Sequence, residues 1–302
     1  MSADRSASVL ARLLNRSRST GENFNLLLSR FVIERLLYRL SVSPHAGHFV
    51  LKGALLFALW YDTPHRPTRD ADLLGFGADD EETLRGRFTD ICAIAAEDGV
   101  RYDTQSMRIA PIREGKVYGG LRLTVTAFIG NARLPVQVDI GFGDAITPAP
   151  ERVDYPTLLD DLAAPSLRTY PIYTVIAEKF HAMAVLGMNN TRMKDFFDLA
   201  VIARTSELDG DTLASALQAT FERRATATPD TSPVALTPAF ATDPAKMKQW
   251  RAFLSKAGLK DQALADVAAL IGDLLLLPMR AAARGARIDA VWNPASGQWT
   301  ER

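Results

Sequence analysis

Two aspartates separated by one residue, Asp70 and Asp72, are the first residues whose types and spacing could do chemistry. They open an apolar segment that predicts a β-strand, and alternate residues of a strand project from the same face. Two carboxylates on one face repel each other unless a cation lies between them, so this pair is typical of a divalent metal site. The pattern also arises by chance in surface loops, and by itself it is a weak signal.

A third carboxylate, Asp139, lies inside the apolar segment 136–140, which predicts a buried strand. A buried aspartate requires a metal ion, an arginine such as Arg69, or a group of backbone donors. If the partner is a metal ion, Asp70, Asp72 and Asp139 on adjacent strands could hold two Mg²⁺ ions about 3.5–4 Å apart. One ion would then activate an acceptor hydroxyl, and the other would bind the phosphates and the leaving pyrophosphate.

The tripeptide Lys52-Gly53-Ala54 lies where a short apolar strand leads into a predicted helix. Glycine lets the backbone approach a phosphate closely, and the N-terminus of the helix supplies free N–H groups and the positive end of the helix dipole. An ordinary tight turn has the same composition. The position of the turn, shortly before Asp70, makes it a candidate for phosphate binding.

A second group of charged residues falls in predicted helices. Lys179 interrupts a largely apolar helix expected over residues 174–186. Arg192, Asp195 and Asp198 follow at intervals of three, which places them roughly along one helix face. Such a set also forms ordinary surface ion pairs worth roughly a few tenths of a kcal/mol each, and the residues alone favour that interpretation.

The elements that must position these residues divide the chain in two. Residues 1–165 predict a small mixed β-sheet domain with flanking helices, and residues 1–20, rich in Ser and Arg, are expected to be poorly ordered or loosely docked. Residues 166–302 predict a helical domain that completes the active-site cleft, so the expected fold is α+β. The predicted strands cover 49–51, 70–74, 121–129 and 134–142, and the predicted helices cover 24–40, 54–61, 79–97, 174–186, 191–204, 211–224, 244–257 and 261–283.

Composition limits the classes of protein to consider. Lys plus Arg and Asp plus Glu each number 35, and this zero net charge is unlike that of a strongly basic nucleic-acid-binding protein. The one cysteine, Cys92, excludes an internal disulfide and lies in an apolar helical pattern that predicts a buried thiol. The apolar stretches are too short to span a bilayer and the N-terminus lacks the apolar core of a signal peptide, so we expect a cytoplasmic protein that does not enter a membrane.

Five segments in this order resemble the AbiEii/AbiGii (MenT-like) toxin family, which belongs to the DNA polymerase β-like nucleotidyltransferase superfamily. The segments are FVLKGA (49–54), RPTRDADL (66–73), VDIGFGD (138–144), IAEK (176–179) and RMKDFFDL (192–199). The resemblance covers about residues 24–204, and the remainder resembles the family as a helical tail.

The resemblance implies the toxin of a bacterial toxin–antitoxin or phage-defence pair, which transfers a nucleotide from an NTP to RNA with two Mg²⁺ ions. The implied acceptor is the tRNA 3′ end, and the implied partner is an antitoxin with a winged-helix DNA-binding domain. Asp70 and Asp72 match the metal-binding pair, Lys179 a lysine that holds the triphosphate, and Asp195 a catalytic acidic residue. The residues expected to contact the nucleotide are Lys52, Gly53, Ala54, Arg69, Lys179 and Arg192. The superfamily usually has Gly-Ser where this chain has Gly53-Ala54, so one hydroxyl contact to phosphate is missing.

Two other functions stay open. The acceptor could be a small molecule such as an antibiotic, or the protein could be catalytically inactive and only bind an antitoxin or effector. An RNA acceptor needs a basic track beside the carboxylates, whereas a drug needs a closed acidic pocket. A concentration of arginines near the N-terminus favours RNA; its members are Arg12, Arg16, Arg18, Arg30, Arg35 and Arg39.

Overall fold

One mixed β-sheet forms the frame of the first part of the chain. The computed structural model of the protein describes residues 3–61, 66–112 and 119–302. Within these residues the sheet has seven strands in the order β3-β4-β5-β2-β1-β7-β6. The strands are β1 Phe49–Lys52, β2 Asp70–Gly75, β3 Val100–Pro111, β4 Gly120–Ile129, β5 Ala132–Phe142, β6 Glu151–Asp154 and β7 Ser166–Thr169.

The chain divides into two compact units. The sheet unit contains residues 1–144 and 150–170, and the helical unit contains residues 145–149 and 171–302. The helices of the sheet unit are α1 Ala3–Thr20, α2 Phe24–Val42, α3 Phe57–Trp60 and α4 Glu81–Ala93, with 3₁₀ turns at Ala46–His48 and Gly53–Leu56. The α+β fold expected from the sequence is therefore confirmed.

The sheet has one buried face and one polar face, and alternation along each strand produces the difference. In β5, Val136, Val138 and Ile140 are fully buried, whereas Gln137 and Asp139 between them are partly exposed. Helix α2 packs against β5 and β7 through apolar residues. The opposite face is left with polar and charged side chains, and this face carries the candidate chemistry.

Several predicted elements of the sheet unit are confirmed. Helix α2, strands β1, β2, β4 and β5, and the hairpin between β4 and β5 lie where the pattern indicates them. Strands β3, β6 and β7 were not foreseen. The helix expected over residues 54–61 is a 3₁₀ turn at Gly53–Leu56 followed by the short helix α3.

The first twenty residues differ from the expectation of poor order, because residues 3–20 form helix α1. Val9 and Leu13 of this helix are fully buried. Arg12 binds Asp161 with two nitrogens, and hydrogen bonds from the Arg12 side chain hold the pKa of Asp161 well below its usual range. An apolar stripe and long-range ion pairs therefore attach α1 to the sheet unit.

The helical unit contains a small sheet as well as helices, so the prediction of a purely helical region from residue 166 is wrong. Strand β7 already belongs to the large sheet, and β8, β9 and β10 form a three-stranded sheet. Trp292 of β9 is fully buried and donates a hydrogen bond to the Ala203 carbonyl oxygen at 2.7 Å. The elements are α5 Ile172–Leu186, α6 Met193–Thr205, β8 Leu208–Asp209, α7 Gly210–Arg223, α8 Pro238–Ala241, α9 Pro244–Ala257, α10 Leu264–Arg284, β9 Ala290–Asn293 and β10 Gln298–Glu301, with 3₁₀ turns at Gly187–Asn189 and Val234–Leu236.

Two expectations from composition can be compared with the structure. Cys92 is buried as predicted, and burial raises the pKa of its thiol to about 12. In the part of the chain that the structure describes, every helix is too short or too polar to cross a membrane.

Glu34 is a buried carboxyl in the middle of α2, with 2% of its surface exposed. Its Oε2 accepts a hydrogen bond from the Leu158 backbone N–H at 2.7 Å, and its Oε1 lies 3.3 Å from Arg35 Nε. Burial raises the pKa of Glu34 to about 7, although the nearby Arg35 charge opposes the shift. The folded protein therefore retains a proton on Glu34 at pH values where the unfolded chain has lost it.

This proton makes the stability of the protein depend on pH. Because the folded pKa lies above the unfolded value, the free energy of unfolding decreases as the pH rises from about 4.5 to about 7. Glu34→Gln cannot ionise and keeps an acceptor for the Leu158 N–H. We expect its free energy of unfolding, relative to wild type, to increase by ~1–3 kcal/mol between pH 5 and pH 8.

Urea unfolding of both proteins at the two pH values measures this difference. Glu97→Gln, a change at an exposed glutamate of the same unit, is the control and is expected to follow wild type. If the free energy of unfolding depends on pH in the same way for Glu34→Gln and for wild type, the Glu34 carboxyl does not cause that dependence.

Candidate active site

A row of charged side chains crosses four neighbouring strands of the large sheet. Lys52 of β1 lies opposite Asp72 of β2, Asp72 lies opposite Asp139 of β5, and Asp139 lies opposite Arg122 of β4. Residues directly opposite each other in paired strands project from the same face. The four side chains, called here the charged row, therefore place two carboxylates between two cations.

Asp70 extends the charged row along β2. Asp70 and Asp72 are both partly exposed, while Ala71 between them is buried, as strand alternation requires. The Thr68 hydroxyl donates a hydrogen bond to Asp70 Oδ1 at 2.6 Å. The two carboxylates thus lie on the polar face of one strand, in the arrangement that the sequence predicts.

The Gly53 turn lies directly against Asp72. Gly53 has a φ of +76°, which favours glycine, and a Cβ atom at this position would overlap the Asp72 carboxylate. The turn and the carboxylate pair were separate signals in the sequence, and the structure brings them into contact. Ala54 follows in the 3₁₀ turn Gly53–Leu56 and is partly exposed.

Asp139 has an arginine partner, one of the three alternatives that its burial allowed. Arg122 Nε and Nη2 donate to Asp139 Oδ1 and Oδ2 at 2.8 and 2.7 Å, so both carboxylate oxygens are bound. The arginine suggested from the sequence, Arg69, is instead exposed at the start of the β2 segment. Among residues 3–61, 66–112 and 119–302, no three His, Cys, Asp or Glu side chains are grouped so that they could hold a metal ion.

Lys52 is fixed in place at the other end of the charged row. Its Nζ lies 2.6 Å from Asp144 Oδ2, and the Tyr170 hydroxyl donates to the same oxygen at 3.4 Å. Asp144 ends the VDIGFGD segment, but its role could not be predicted, because no pattern in the sequence links residue 144 to residue 52. The lysine ammonium is therefore held at its end of the row by Asp144, a carboxylate outside the row.

The helical unit contains the second predicted group. Lys179 of α5 donates to Asp195 Oδ1 and to Asp198 Oδ2 of α6, each at 2.8 Å, and Arg192 Nε donates to Asp195 Oδ2 at 2.6 Å. These four residues are called here the Lys179 cluster. Asp195 and Asp198 are 0% and 1% exposed. The residues alone favoured ordinary surface ion pairs; the pairs form, but with carboxylates that are buried.

The charge of Asp195 depends on its cationic neighbours. Burial by itself would raise the pKa of Asp195, but the charges of Lys179 and Arg192 and their hydrogen bonds hold it well below its usual range. The carboxylate is thus ionised at neutral pH. A buried charge of this kind is strongly destabilising when one partner is removed.

The loop before α6 positions the Lys179 cluster, and sequence analysis did not identify the residues responsible. Asn190 is fully buried, and its Oδ1 accepts a hydrogen bond from the Arg192 backbone N–H at 2.8 Å. Lys246 of α9, which is 6% exposed, donates to the Asn190 carbonyl oxygen at 2.9 Å. The start of α6 is therefore tied to a helix that begins about fifty residues later in the chain.

The sequence matches the family model described as "Nucleotidyl transferase AbiEii toxin, Type IV TA system" over residues 35–271. The chain therefore belongs to this family of nucleotidyltransferase toxins. Membership of the family implies a nucleotide substrate and an antitoxin partner. The matched residues include both the charged row and the Lys179 cluster.

Two crystal structures of proteins from Helicobacter pylori are similar to the chain. One protein, assigned as a nucleotidyltransferase, is 17% identical, with a TM-score of 0.49 over 87% of this chain and 98% of its own. The other, JHP933, is also 17% identical, with a TM-score of 0.47 over 86% of this chain and 94% of its own. No curated protein matches the chain.

The contact between Gly53 and Asp72 leads to a stability prediction. Gly53→Ala adds a Cβ that overlaps the Asp72 carboxylate and also strains a backbone with positive φ, so we expect a loss of ~1–3 kcal/mol in the free energy of unfolding. Gly47→Ala is the matched control, since a Cβ there meets no heavy atom within 4 Å. If the two variants have equal free energies of unfolding in urea, Gly53 does not lie against the Asp72 carboxylate as described.

The Lys179 cluster leads to a second stability prediction. Lys179→Met removes the cation bonded to two buried carboxylates, and we expect the free energy of unfolding at pH 7 to decrease by ~3–5 kcal/mol. Because the pKa of Asp195 is depressed in the folded protein, the ion pairs stabilise it above the unfolded aspartate pKa of about 3.9. The difference from wild type should therefore shrink as the pH falls below that value.

Lys194→Met, which removes an exposed lysine of the same segment, is the control and is expected to change stability little. The double variant Lys179→Met with Asp198→Asn should recover part of the loss, since it removes one uncompensated charge. A loss that Lys194→Met reproduces, or that the double variant does not relieve, would show that the cluster carries no special stabilisation.

Proposed function

We propose that this protein is a metal-dependent nucleotidyltransferase that moves a nucleotide from an NTP to an RNA acceptor, the 3′ end of tRNA. The observation that carries the proposal is the carboxylate pair Asp70 and Asp72 on one strand, with the Gly53 turn in direct contact, in a chain of the AbiEii family. This juxtaposition supports a site in which the backbone N–H groups of the turn bind phosphate beside carboxylate oxygens that bind a metal ion.

The residues fit a divalent cation at the Asp70–Asp72 pair. Carboxylate oxygens are the ligands that Mg²⁺ prefers, and the absence of a Cβ at Gly53 lets the Asp72 carboxylate lie directly against the turn. Asp139 lies next to Asp72 across the sheet, although both of its oxygens are bound by Arg122. When bound, two such ions would activate the acceptor hydroxyl and neutralise the leaving pyrophosphate.

The chain's own groups bind and orient the nucleotide. We propose that its phosphates are bound by the Gly53 and Ala54 backbone N–H groups and by the Lys52 ammonium. Ala54 has no side-chain hydroxyl that could add a further contact. Arg69 is exposed and is proposed to add a further phosphate contact. The backbone N–H groups therefore carry more of the phosphate binding than they would beside a Gly-Ser turn.

The family resemblance supports roles for the Lys179 cluster in the same reaction. We propose that Lys179 and Arg192 neutralise negative charge on the triphosphate. A carboxyl whose pKa is depressed is a poor proton donor at neutral pH, so Asp195 is proposed to orient these two cations rather than to transfer a proton.

The arginines near the N-terminus do not support the RNA acceptor as the sequence suggested. Arg35 and Arg39 are 1% and 2% exposed, and Arg39 is bound to Asp98 at 2.6 Å. Arg12 pairs with Asp161, and Arg30 pairs with Glu22 at 2.6 Å. These four of the six arginines are engaged within the sheet unit, so the RNA acceptor rests on the family resemblance.

The partner and setting of the reaction are also proposals. The family belongs to type IV toxin–antitoxin systems, and we propose an antitoxin with a winged-helix DNA-binding domain encoded beside this gene. Inhibition of tRNA function in the cytoplasm would make such a pair a defence against phage. Co-expression with the adjacent gene product should relieve growth inhibition by this protein.

A labelling assay tests the reaction. Purified protein is incubated with each α-labelled NTP, Mg²⁺ and total tRNA, and we expect one NTP to label tRNA. Asp70→Asn and Asp72→Asn should each lower the rate about 100-fold or more, because several kcal/mol of transition-state stabilisation are lost. Asp79→Asn, at an exposed aspartate nearby, is the control and should label as wild type does.

Three outcomes of labelling assays separate the alternative functions. Periodate-oxidised tRNA, which lacks the 3′ diol, should not be labelled if the 3′ end is the acceptor. Labelling of an aminoglycoside in place of tRNA would show a small-molecule transferase. If wild-type protein labels no acceptor with any NTP, the inactive binding protein is the correct interpretation.

A further inference from the structure

The pair between Arg122 and Asp139 is the part of the charged row that metal chemistry does not explain. A guanidinium that binds both oxygens of a carboxylate occupies two of its roughly four lone-pair sites, the two that a metal ion bound by both oxygens would use. Asp139 is 16% exposed, whereas Arg122 is 40% exposed. The carboxylate is thus fixed in the sheet, and the arginine side chain lies at the surface where it can change partner.

The neighbouring charges explain why a cation is needed at this position. Asp72 and Asp139 lie opposite each other on paired strands, and two carboxylates side by side disfavour each other's ionised form. At the far end of the row, Lys52 is bound to Asp144. Arg122 therefore supplies positive charge to the carboxylates of β2 and β5 in the protein without a metal ion.

We propose that Arg122 is a built-in counter-ion that binds Asp139 in the metal-free protein, releases it in the metal-loaded protein, and then binds a phosphate of the nucleotide. This inference rests on the proposed function, because it presumes a divalent cation at Asp70 and Asp72. The same planar fork of donors that fits a carboxylate also fits a phosphate, so Arg122 exchanges one anion for another. The guanidinium is the more exposed end of the pair, where solvent weakens the attraction and favours exchange.

The exchange couples two binding events. Arg122 and the metal ion compete for Asp139, so Arg122 weakens metal binding when no nucleotide is present. A nucleotide that takes up Arg122 removes the competitor, and metal and nucleotide then strengthen each other's binding by the same factor. Removal of Arg122 weakens this coupling.

Binding of Mn²⁺ to the full-length protein, followed by the electron paramagnetic resonance signal of free Mn²⁺, tests the inference without catalysis. We expect Arg122→Gln to bind Mn²⁺ roughly 3–10-fold more tightly than wild type when no nucleotide is present. A non-hydrolysable NTP analogue should tighten Mn²⁺ binding to wild type and have a smaller effect on Arg122→Gln. Arg133→Gln, which removes an exposed arginine of β5, is the control and should behave as wild type.

Unchanged or weaker Mn²⁺ binding to Arg122→Gln, or no Mn²⁺ binding to any variant, would overturn the inference. Arg122→Lys keeps the charge but not the two-pronged contact, and intermediate Mn²⁺ affinity is expected; if neither variant folds, Arg122 is structural and the inference is wrong. The proposed function can fail separately. If tRNA is not labelled but Arg122→Gln binds Mn²⁺ more tightly than wild type, the proposed RNA reaction is wrong and the counter-ion role of Arg122 is supported.

Discussion

Like charges placed close together on a rigid frame must be compensated, and this constraint shapes both units of the protein. In the sheet unit, register places Asp72 beside Asp139, and Lys52 and Arg122 flank them. In the helical unit, Asp195 and its neighbour on α6 are buried around one lysine ammonium. A buried or crowded carboxylate without such a partner would be protonated or would destabilise the fold. The positions of the cations therefore follow from the positions of the acids.

The same constraint explains how a chain of zero net charge can act on nucleotides. Arginines that look like a nucleic-acid surface in the sequence are used inside the fold, as Arg39 is with Asp98 and Tyr102. Negative charge is concentrated on the polar face of β2 and β5, where compensation is local. Net charge describes such a protein poorly, since side chains of opposite charge lie on neighbouring strands.

Local patterns in the sequence were sufficient for the elements with long, regular periodicity. Alternation predicted β4 and β5, helical spacing predicted α2, and the spacing of Asp70 and Asp72 predicted their common face. Partners that depend on register, such as Arg122 for Asp139, could not be predicted, because seventeen residues and a hairpin separate them. Strand β7 and the two-residue β8 are too short to show a period, and their pairing with distant segments is what makes them strands.

The hairpin of β9 and β10 has a practical consequence for the limits of the folded unit. The family match ends at residue 271, inside α10, whereas Trp292 on the hairpin fills the interior beside α6. A chain shortened to the matched residues would lose residues 272–284, more than half of α10, and leave a hole the size of an indole against the helix that carries Asp195. The smallest autonomous version of this chain is therefore longer than the segment that the family model matches, and the tail beyond residue 271 belongs to the architecture that supports α6.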